Sequence, residues 1–183
     1  MKTCLILIDI QNDYFSGGRM TLVGMEQAAA NARLLLQAFR RTGSNIIHVQ
    51  HLSLGANAIF FLPETHGVQA HILVAPLKDE TVVTKNYPNS FRDTTLLETL
   101  QKKNITDLLF CGAMSHMCVD ATVRAGFDLG FHCTVAEDAC ATRDLCFKDT
   151  RIQASAVHAS FMAALSGTYA TVLTTKEIVK KLK

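Results

Sequence analysis

The stretch Asp107–Gly130, DLLFCGAMSHMCVDATVRAGFDLG, contains the sequence signals that decide the fold. Its run Leu108–Cys111 is short and continuously apolar, which is typical of a strand covered on both faces, and Gly112 ends it. From Met117 onward, apolar residues at helical spacing and the closing Gly130 predict a helix. The stretch therefore predicts a buried strand followed at once by a helix.

Cys118 lies in the first turn of that predicted helix. Unpaired N–H groups and the positive end of the helix dipole favour a thiolate there, so one interpretation is a nucleophilic cysteine. The alternative is a small buried apolar residue, the usual situation of a free cysteine. The six cysteines form no CxxC pair and lack the density of a disulfide scaffold, so reduced thiols are predicted.

Strand and helix patterns alternate along the whole chain. Predicted strands cover 2–8, 45–49, 81–84, 107–111, 132–136 and 170–173, and predicted helices cover 25–41, 94–103, 117–129, 148–165 and 176–182. This alternation predicts a three-layer, doubly wound α/β fold that is Rossmann-like, with a six-stranded, mainly parallel sheet and helices on both faces. The exception is Leu52–Asp79, which has no clean period. A loop of this length is predicted to form a lid, a pocket wall or a subunit contact.

The composition narrows the class of protein. With 183 residues, of which 49% are hydrophobic, the chain is predicted to form a single domain over 1–183. The net charge of +2 and the scattered basic residues favour neither nucleic acid nor a membrane surface as partner. No apolar run reaches membrane-spanning length, and Asp9 interrupts the first one, so a cytoplasmic protein is expected.

Three reactive side chains follow three predicted strands. Asp9 follows the first strand, Lys85 the third, and Cys118 lies just beyond the fourth. Ligands bind outside the carboxyl ends of strands in such sheets, so the three side chains are expected to meet at one edge. A thiol with a carboxylate and an ammonium suits nucleophilic cleavage of an amide. Taken singly, a loop-capping aspartate and an exposed loop lysine are the alternatives for Asp9 and Lys85.

Three motifs together resemble the isochorismatase-like cysteine hydrolases, which include nicotinamidases, N-carbamoylsarcosine amidases and ureidoacrylate amidases. These motifs are Asp-x-Gln-Asn-Asp-Tyr at 9–14, Lys85 followed by Asn-Ser-Phe at 89–91, and Gly-Ala-Met-Ser-His-Met-Cys-Val at 112–119. They occur in the family order, and the resemblance covers nearly the whole chain. It therefore implies a single isochorismatase-like hydrolase domain.

The resemblance also implies roles for individual residues. Asp9, Lys85 and Cys118 would be a catalytic triad that hydrolyses a small amide, ureide or carbamoyl compound through a thioester on Cys118. Backbone N–H groups of Met114 and Cys118 would form the oxyanion hole, with a cis peptide bond between Ala113 and Met114. The partners implied are a small-molecule substrate and further copies of the chain, in a dimer or tetramer.

The residues expected at the substrate are mostly aromatic. Tyr14, Phe91 and one of Phe60 or Phe61 match positions at which the family lines its pocket, and such side chains suit a small planar or partly apolar molecule. Core packing is the alternative for Phe91 and is favoured for Phe61. His116 is expected either to contact the substrate or to orient its own loop, and an exposed or helix-capping histidine is the alternative.

No metal or cofactor is expected. Nicotinamidases carry a metal site built on Asp-x-His after the second strand, whereas the matching residues here are His51-Leu52-Ser53. The candidate ligands for a metal would be His48, His51, His66 and His71, with satisfied or exposed histidines as the alternative. Two other functions stay open: an isochorismatase-type vinyl-ether hydrolase, although such relatives do not depend on a cysteine, and a non-catalytic redox sensor that uses Cys118 as a reactive thiol.

Overall fold

The computed structural model of the chain describes residues 2–182. In chain order its strands and helices are β1 Thr3–Ile8, α1 Met25–Arg41, β2 Asn45–His51, β3 Thr81–Lys85, α2 Leu96–Lys102, β4 Asp107–Ala113, α3 Asp120–Asp128, β5 His132–Ala141, β6 Leu145–Phe147, β7 Thr150–Ile152, α4 Ala154–Leu165, β8 Thr171–Leu173 and α5 Thr175–Lys181. No helix within the described range has both the length and the apolar character that crossing a membrane requires.

The main sheet has six strands in the order β3-β2-β1-β4-β5-β8, and all neighbouring strands are parallel. The first strand lies in the middle, where Ile6 is opposite both Ile47 of β2 and Phe110 of β4. All three side chains are fully buried, as expected for a strand covered on both faces. The predicted fold is therefore confirmed.

Helices cover both faces of this sheet. One apolar cluster packs α1 and α5 against the sheet, and the other packs α2, α3 and α4 against the opposite face. In α1, the buried residues recur at helical spacing and include Ala28, Ala32, Leu35, Leu36 and Phe39. Helix propensity alone would not fix this helix, so burial of that apolar stripe supplies most of its stability.

The predicted helix 148–165 begins too early, because α4 starts only at Ala154. The preceding residues form an antiparallel hairpin of β6 and β7 that the sequence analysis missed. Lys148 adopts a positive φ of 52° in its turn, and Asp144 accepts a hydrogen bond from the Ala154 N–H at 2.7 Å. That bond satisfies one of the free N–H groups of the first helical turn, which explains why the helix begins there.

The turn that carries Cys118 also differs from its predicted form. The five residues Ser115–Val119 form a wide π-helical turn, and α3 begins after it at Asp120. Such turns are rare and are frequent at functional sites. Cys118 therefore lies immediately before the amino terminus of α3 and not inside a regular first turn.

Gly112 lets β1 and β4 approach closely next to this turn. Its φ of 125° is left-handed, and a Cβ atom built on it would collide with the backbone of Ile8. This close approach of β1 and β4 therefore requires glycine, which has no Cβ atom. The next residue after Ile8 is Asp9, which itself turns the chain out of the sheet with a φ of 51°.

The long connection between β2 and β3 contains two short 3₁₀ turns and is fastened at its far end by Glu80. The Glu80 carboxylate accepts two hydrogen bonds from Arg40 at 2.7 Å, lies 2.9 Å from His48 Nε2, and accepts the Leu77 N–H at 2.9 Å. A paired arginine and carboxylate with further hydrogen bonds make a strong, directional contact. Glu80 thus ties the end of this loop to α1 and β2.

We expect the change Glu80→Gln to lower the free energy of unfolding at neutral pH by about 1–3 kcal/mol, because it weakens these charged hydrogen bonds. The hydrogen bond from Arg40 lowers the pKa of Glu80 from 4.5 to about 2. The stabilisation is therefore complete above pH 4.5 and is lost as the pH falls towards 2. Urea unfolding across this interval measures the effect. Glu98→Gln, at an exposed pair with Lys102, is the control, and equal losses in both variants would contradict the assignment.

Candidate active site

Asp9, Lys85 and Cys118 meet in the interior of the protein, beyond the carboxyl ends of the central strands. The Lys85 ammonium lies 2.7 Å from Asp9 Oδ2 and 3.2 Å from Cys118 Sγ. All three residues are buried, with exposed fractions of 0%, 1% and 5%. The prediction that these three side chains meet at one edge of the sheet is thus confirmed.

His51 completes this group, which we call the Lys85 cluster: Asp9, His51, Lys85 and Cys118. His51 Nδ1 lies 2.9 Å from Lys85 Nζ. From the sequence, His51 is a candidate metal ligand only, and its contact with Lys85 was not predicted. The signal was available, because His51 and Lys85 are the last residues of neighbouring strands and stand opposite each other in the sheet register.

Gln11 holds the backbone of His51 from the side of β1. Its amide oxygen accepts the His51 N–H at 2.8 Å, and its amide nitrogen donates to the His51 carbonyl at 2.9 Å and to Val68 at 2.7 Å. Gln11 is itself buried. One side chain therefore fixes both the end of β2 and the returning part of the long loop.

Tyr14 and two phenylalanines of the long loop form an aromatic group beside the Lys85 cluster. The Tyr14 ring centre lies 4.6 Å from that of Phe61 and 6.0 Å from that of Phe60. The Phe61 N–H donates to the Asp13 carboxylate at 2.6 Å, which fixes the loop to the chain that follows β1. Phe61 is fully buried, in line with the favoured core assignment, and Phe60 is half-buried.

The other two residues expected at the substrate make contacts elsewhere. Phe91 stacks on Phe131, with ring centres 6.2 Å apart. His116 is half-buried, and its Nδ1 lies 2.6 Å from the hydroxyl of Thr142, the residue after β5, so this hydrogen bond does not go to the Lys85 cluster. The structure thus brings Tyr14 and Phe60 together but places Phe91 in a different contact.

The charges of the cluster decide the protonation of Cys118. Burial raises the pKa of the Cys118 thiol, the Asp9 carboxylate raises it further, and the Lys85 ammonium lowers it by less. Burial and the Asp9 carboxylate therefore act against the resting thiolate that the helix terminus is expected to favour. Burial also acts to lower the pKa of Lys85, but Asp9 and Cys118 outweigh it, so the Lys85 pKa is raised and the ammonium keeps its charge.

One oxygen of Asp9 has no hydrogen-bond partner within the protein. Among the buried side-chain oxygen and nitrogen atoms of residues 2–182, Asp9 Oδ1 alone lacks one. A buried unpaired carboxylate oxygen costs free energy and calls for an explanation. Since one carboxylate oxygen of Asp9 lies within 4.8 Å of Cys118 Sγ, the carboxylate is close enough to exchange a proton with the thiol or with a small molecule between them.

The same atoms resemble a set of metal ligands. A carboxylate oxygen of Asp9, a ring nitrogen of His51 and the sulfur of Cys118 all lie within 4.8 Å of one another. The Lys85 ammonium, however, forms contacts with all three. A metal ion would have to displace a cation that is already hydrogen-bonded to every ligand, so this donor set does not fit a metal.

The connection after β4 contains the predicted unusual peptide bond. The bond between Ala113 and Met114 is cis, which confirms that expectation. Ser115 follows, fully buried, with its hydroxyl 2.9 Å from His158 Nδ1 of α4. The turn that carries Cys118 is therefore fastened to α4 as well as to the sheet.

A buried thiol held with a carboxylate and an ammonium at the carboxyl edge of a parallel sheet is typical of a cysteine-dependent hydrolase. The family model of the isochorismatase domain matches residues 3–177. The chain therefore belongs to the isochorismatase family, as the sequence motifs predicted.

Individual relatives agree with this assignment. The chain is 52% identical, over 98% of its length and 100% of the relative's, to the isochorismatase family protein YddQ of Bacillus subtilis. It is 28% identical to the ureidoacrylate amidohydrolase RutB of Cronobacter sakazakii, covering 75% of this chain and 74% of RutB. The crystal structure of an isochorismatase from Pseudomonas putida has 44% identity and a TM-score of 0.90, covering 96% of this chain and 89% of that one.

We expect Lys85→Met to slow alkylation of Cys118 by iodoacetamide roughly 10- to 10³-fold at a fixed pH, because the change removes the cation that stabilises the thiolate. Mass spectrometry of the Cys118 peptide measures the rate in a Cys146→Ser background, since Cys146 is the exposed thiol and would react first. Lys102→Met, on the exposed side of α2, is the control. Superimposable pH profiles for Lys85→Met and its parent would remove Lys85 from thiolate stabilisation.

Proposed function

We propose that this protein hydrolyses a C–N bond in a small amide, ureide or carbamoyl compound, with Cys118 as nucleophile, Asp9 as general base and acid, and Lys85 as a fixed cation. The observation that carries the proposal is the unpaired Asp9 Oδ1 within a carboxylate that is already bound to Lys85 and lies near the Cys118 sulfur. A purely structural ion pair has no use for such an oxygen.

The first half of the reaction forms the thioester. As Cys118 Sγ attacks the carbonyl carbon, its proton passes to Asp9, which suits a thiol that is protonated at rest. The intermediate then collapses with cleavage of the C–N bond, and Asp9 returns the proton to the leaving nitrogen. The acyl group remains on sulfur, and Asp9 is a carboxylate again.

The second half releases the acid. A water molecule gives a proton to Asp9 while its oxygen attacks the thioester carbonyl, and the C–S bond breaks. The sulfur takes the proton back from Asp9, which regenerates the resting thiol. Lys85 keeps its proton throughout and offsets the negative charge that alternates between Asp9 and sulfur.

Both halves pass through a tetrahedral oxyanion that requires N–H donors. We assign this role to the N–H groups of Met114, the residue before the turn Ser115–Val119, and of Cys118 within that turn. Donors from backbone are fixed before reaction and lose little in reorganisation, which is why they stabilise such intermediates well. Tyr14 and Phe60 would cover the substrate with aromatic surface, and His116 and Phe91 would lie further from the reacting carbonyl.

The name of RutB supports amide chemistry over other hydrolyses, since it describes an amidohydrolase of ureidoacrylate. The redox-sensor alternative fits the site less well. A sensor cysteine needs exposure and a low thiol pKa, whereas Cys118 is buried and burial raises its pKa. The vinyl-ether alternative is tested separately by following pyruvate release from isochorismate, because isochorismate contains no nitrogen and releases no ammonia.

We expect an ammonia-release assay over a panel of primary amides, ureides and carbamates to identify at least one substrate of the purified protein. Cys118→Ala should reduce that turnover to the rate in buffer and leave the thermal unfolding midpoint near that of the parent, since alanine suits this position of a helical turn. Cys146→Ser, at an exposed cysteine, is the matched control and should retain full turnover. Turnover by Cys118→Ala would refute the assignment of the nucleophile. Cleavage of isochorismate, with no compound of the panel hydrolysed, would refute the proposed C–N bond hydrolysis.

Asp9→Asn is expected to slow hydrolysis by roughly 10²–10⁴-fold, because the amide keeps the shape of the side chain but cannot take a proton. Steady-state rates on the best substrate from the panel measure this change. Asp107→Asn is the control, at a carboxylate on the opposite end of β4. A loss of less than tenfold for Asp9→Asn would assign the proton transfer to another group.

Prolonged dialysis against EDTA should leave the hydrolysis rate unchanged, since Lys85 occupies the position that a metal bound by Asp9, His51 and Cys118 would take. The rate before and after dialysis, and after adding back zinc or iron, measures this. Activity that disappears with chelator and returns with metal would overturn the metal-free mechanism.

A further inference from the structure

We propose that His51 is a positioning residue of the active site, which accepts the third hydrogen of the Lys85 ammonium and thereby directs the other two at Asp9 and Cys118. The inference rests on the function proposed above and adds a residue to it. His51 makes no bond to the reacting atoms in this arrangement and would act only through Lys85.

The first argument is a count of donors and acceptors. An ammonium has three hydrogens and no lone pair. The Lys85 nitrogen has three acceptors at hydrogen-bond distance: Asp9 Oδ2 at 2.7 Å, His51 Nδ1 at 2.9 Å and Cys118 Sγ at 3.2 Å. With 1% of Lys85 exposed, bulk solvent does not offer it a further acceptor. Without His51, one hydrogen would be left unpaired or would compete for Asp9.

Backbone hydrogen bonds hold His51 firmly beside Lys85. It is the register partner of Lys85 in neighbouring parallel strands, so the two side chains emerge side by side. The Gln11 amide bonds both its N–H and its carbonyl, and the next residue, Leu52, donates its N–H to the Lys85 carbonyl at 2.9 Å. The backbone at His51 therefore leaves the imidazole little freedom to move away from Lys85.

The groups around the His51 imidazole determine its charge. The groups that face it are Asp9, Lys85 and Cys118. Burial lowers the pKa of His51, the Lys85 charge lowers it further, and Asp9 raises it by less. The ring is therefore neutral at physiological pH. Because an ammonium can only donate, its contact with Nδ1 favours the tautomer that carries its hydrogen on Nε2 and its lone pair on Nδ1.

A neutral acceptor has a consequence for the chemistry. A carboxylate at this position would bind Lys85 more strongly and would draw its positive charge away from sulfur. A neutral imidazole satisfies the third hydrogen without adding negative charge, so the attraction of the ammonium remains available to the thiolate that forms during attack. His51 therefore both orients Lys85 and preserves its effect on Cys118.

The test compares His51→Leu, which removes the acceptor, with His51→Asn, whose amide places an acceptor close to the position of Nδ1. The readout is the rate of Cys118 alkylation as a function of pH in the Cys146→Ser background. We expect His51→Leu to react about tenfold more slowly than its parent at a fixed pH, and His51→Asn to recover to within about threefold. Turnover on the best substrate should follow the same order.

His48→Asn is the matched control. His48 is a buried histidine of the same strand, but it bonds to Glu80 and not to Lys85. We expect its Cys118 alkylation profile to equal that of the parent, even if its stability is lower. An equal slowing in His48→Asn and His51→Leu would overturn the proposal, because it would assign the effect to general loss of a buried histidine.

A third variant keeps the test decisive if His51→Leu does not fold. His51→Gln is polar like His51→Asn, but its acceptor lies near the position of Nε2. Positioning of Lys85 requires His51→Asn to alkylate at least threefold faster than His51→Gln. Equal rates in these two variants, or a rate for His51→Leu equal to that of the parent, would refute the role of His51.

The alkylation readout needs no substrate, so the two proposals can fail separately. Loss of the alkylation difference among the His51 variants removes the positioning role and leaves hydrolysis intact. Failure of the whole substrate panel, or turnover by Cys118→Ala, removes the hydrolase mechanism without changing the alkylation profiles.

Discussion

The rest of this site depends on the hydrogen bonds that the buried Lys85 ammonium makes. A positive charge taken out of water is costly, and it is tolerated only where well-placed partners offset the cost. Here the partners come from separate parts of the chain: Asp9 after β1, His51 at the end of β2 and Cys118 in the turn after β4. The sheet order brings these segments next to one another, so the fold supplies the electrostatic environment that the chemistry uses.

Burial has a second consequence for the proposed mechanism. The reaction depends on proton transfer from the Cys118 thiol to Asp9 and not on a pre-formed thiolate. In the proposed mechanism, the raised pKa keeps the Cys118 thiol protonated at rest, and the sulfur becomes a nucleophile as its proton passes to the Asp9 carboxylate. The arrangement therefore limits adventitious oxidation of Cys118, since the thiolate is the form that oxidants attack. The exposed Cys146 has no such protection.

The sequence predicted the sheet and the meeting of Asp9, Lys85 and Cys118, because hydrophobic periodicity locates strands and parallel strands share one carboxyl edge. It did not predict the β6–β7 hairpin, since short strands beside a helix have no clear period. The directions in which individual side chains point could not be predicted from the sequence either. His51 turns towards Lys85 and Phe91 towards Phe131, and such choices depend on packing between segments that are distant in sequence.

The central place of β1 has a consequence for the newly made chain. One edge of β1 pairs with β2, which follows closely, but its other edge pairs with β4, which begins only at Asp107. During synthesis, a nascent polypeptide that already contains β1, β2 and β3 but not β4 therefore leaves the backbone N–H and C=O groups along one edge of β1 unpaired. Open edges of this kind recruit strands from other chains. Chaperone protection of this protein on the ribosome would be needed most while the residues between Lys85 and β4 emerge.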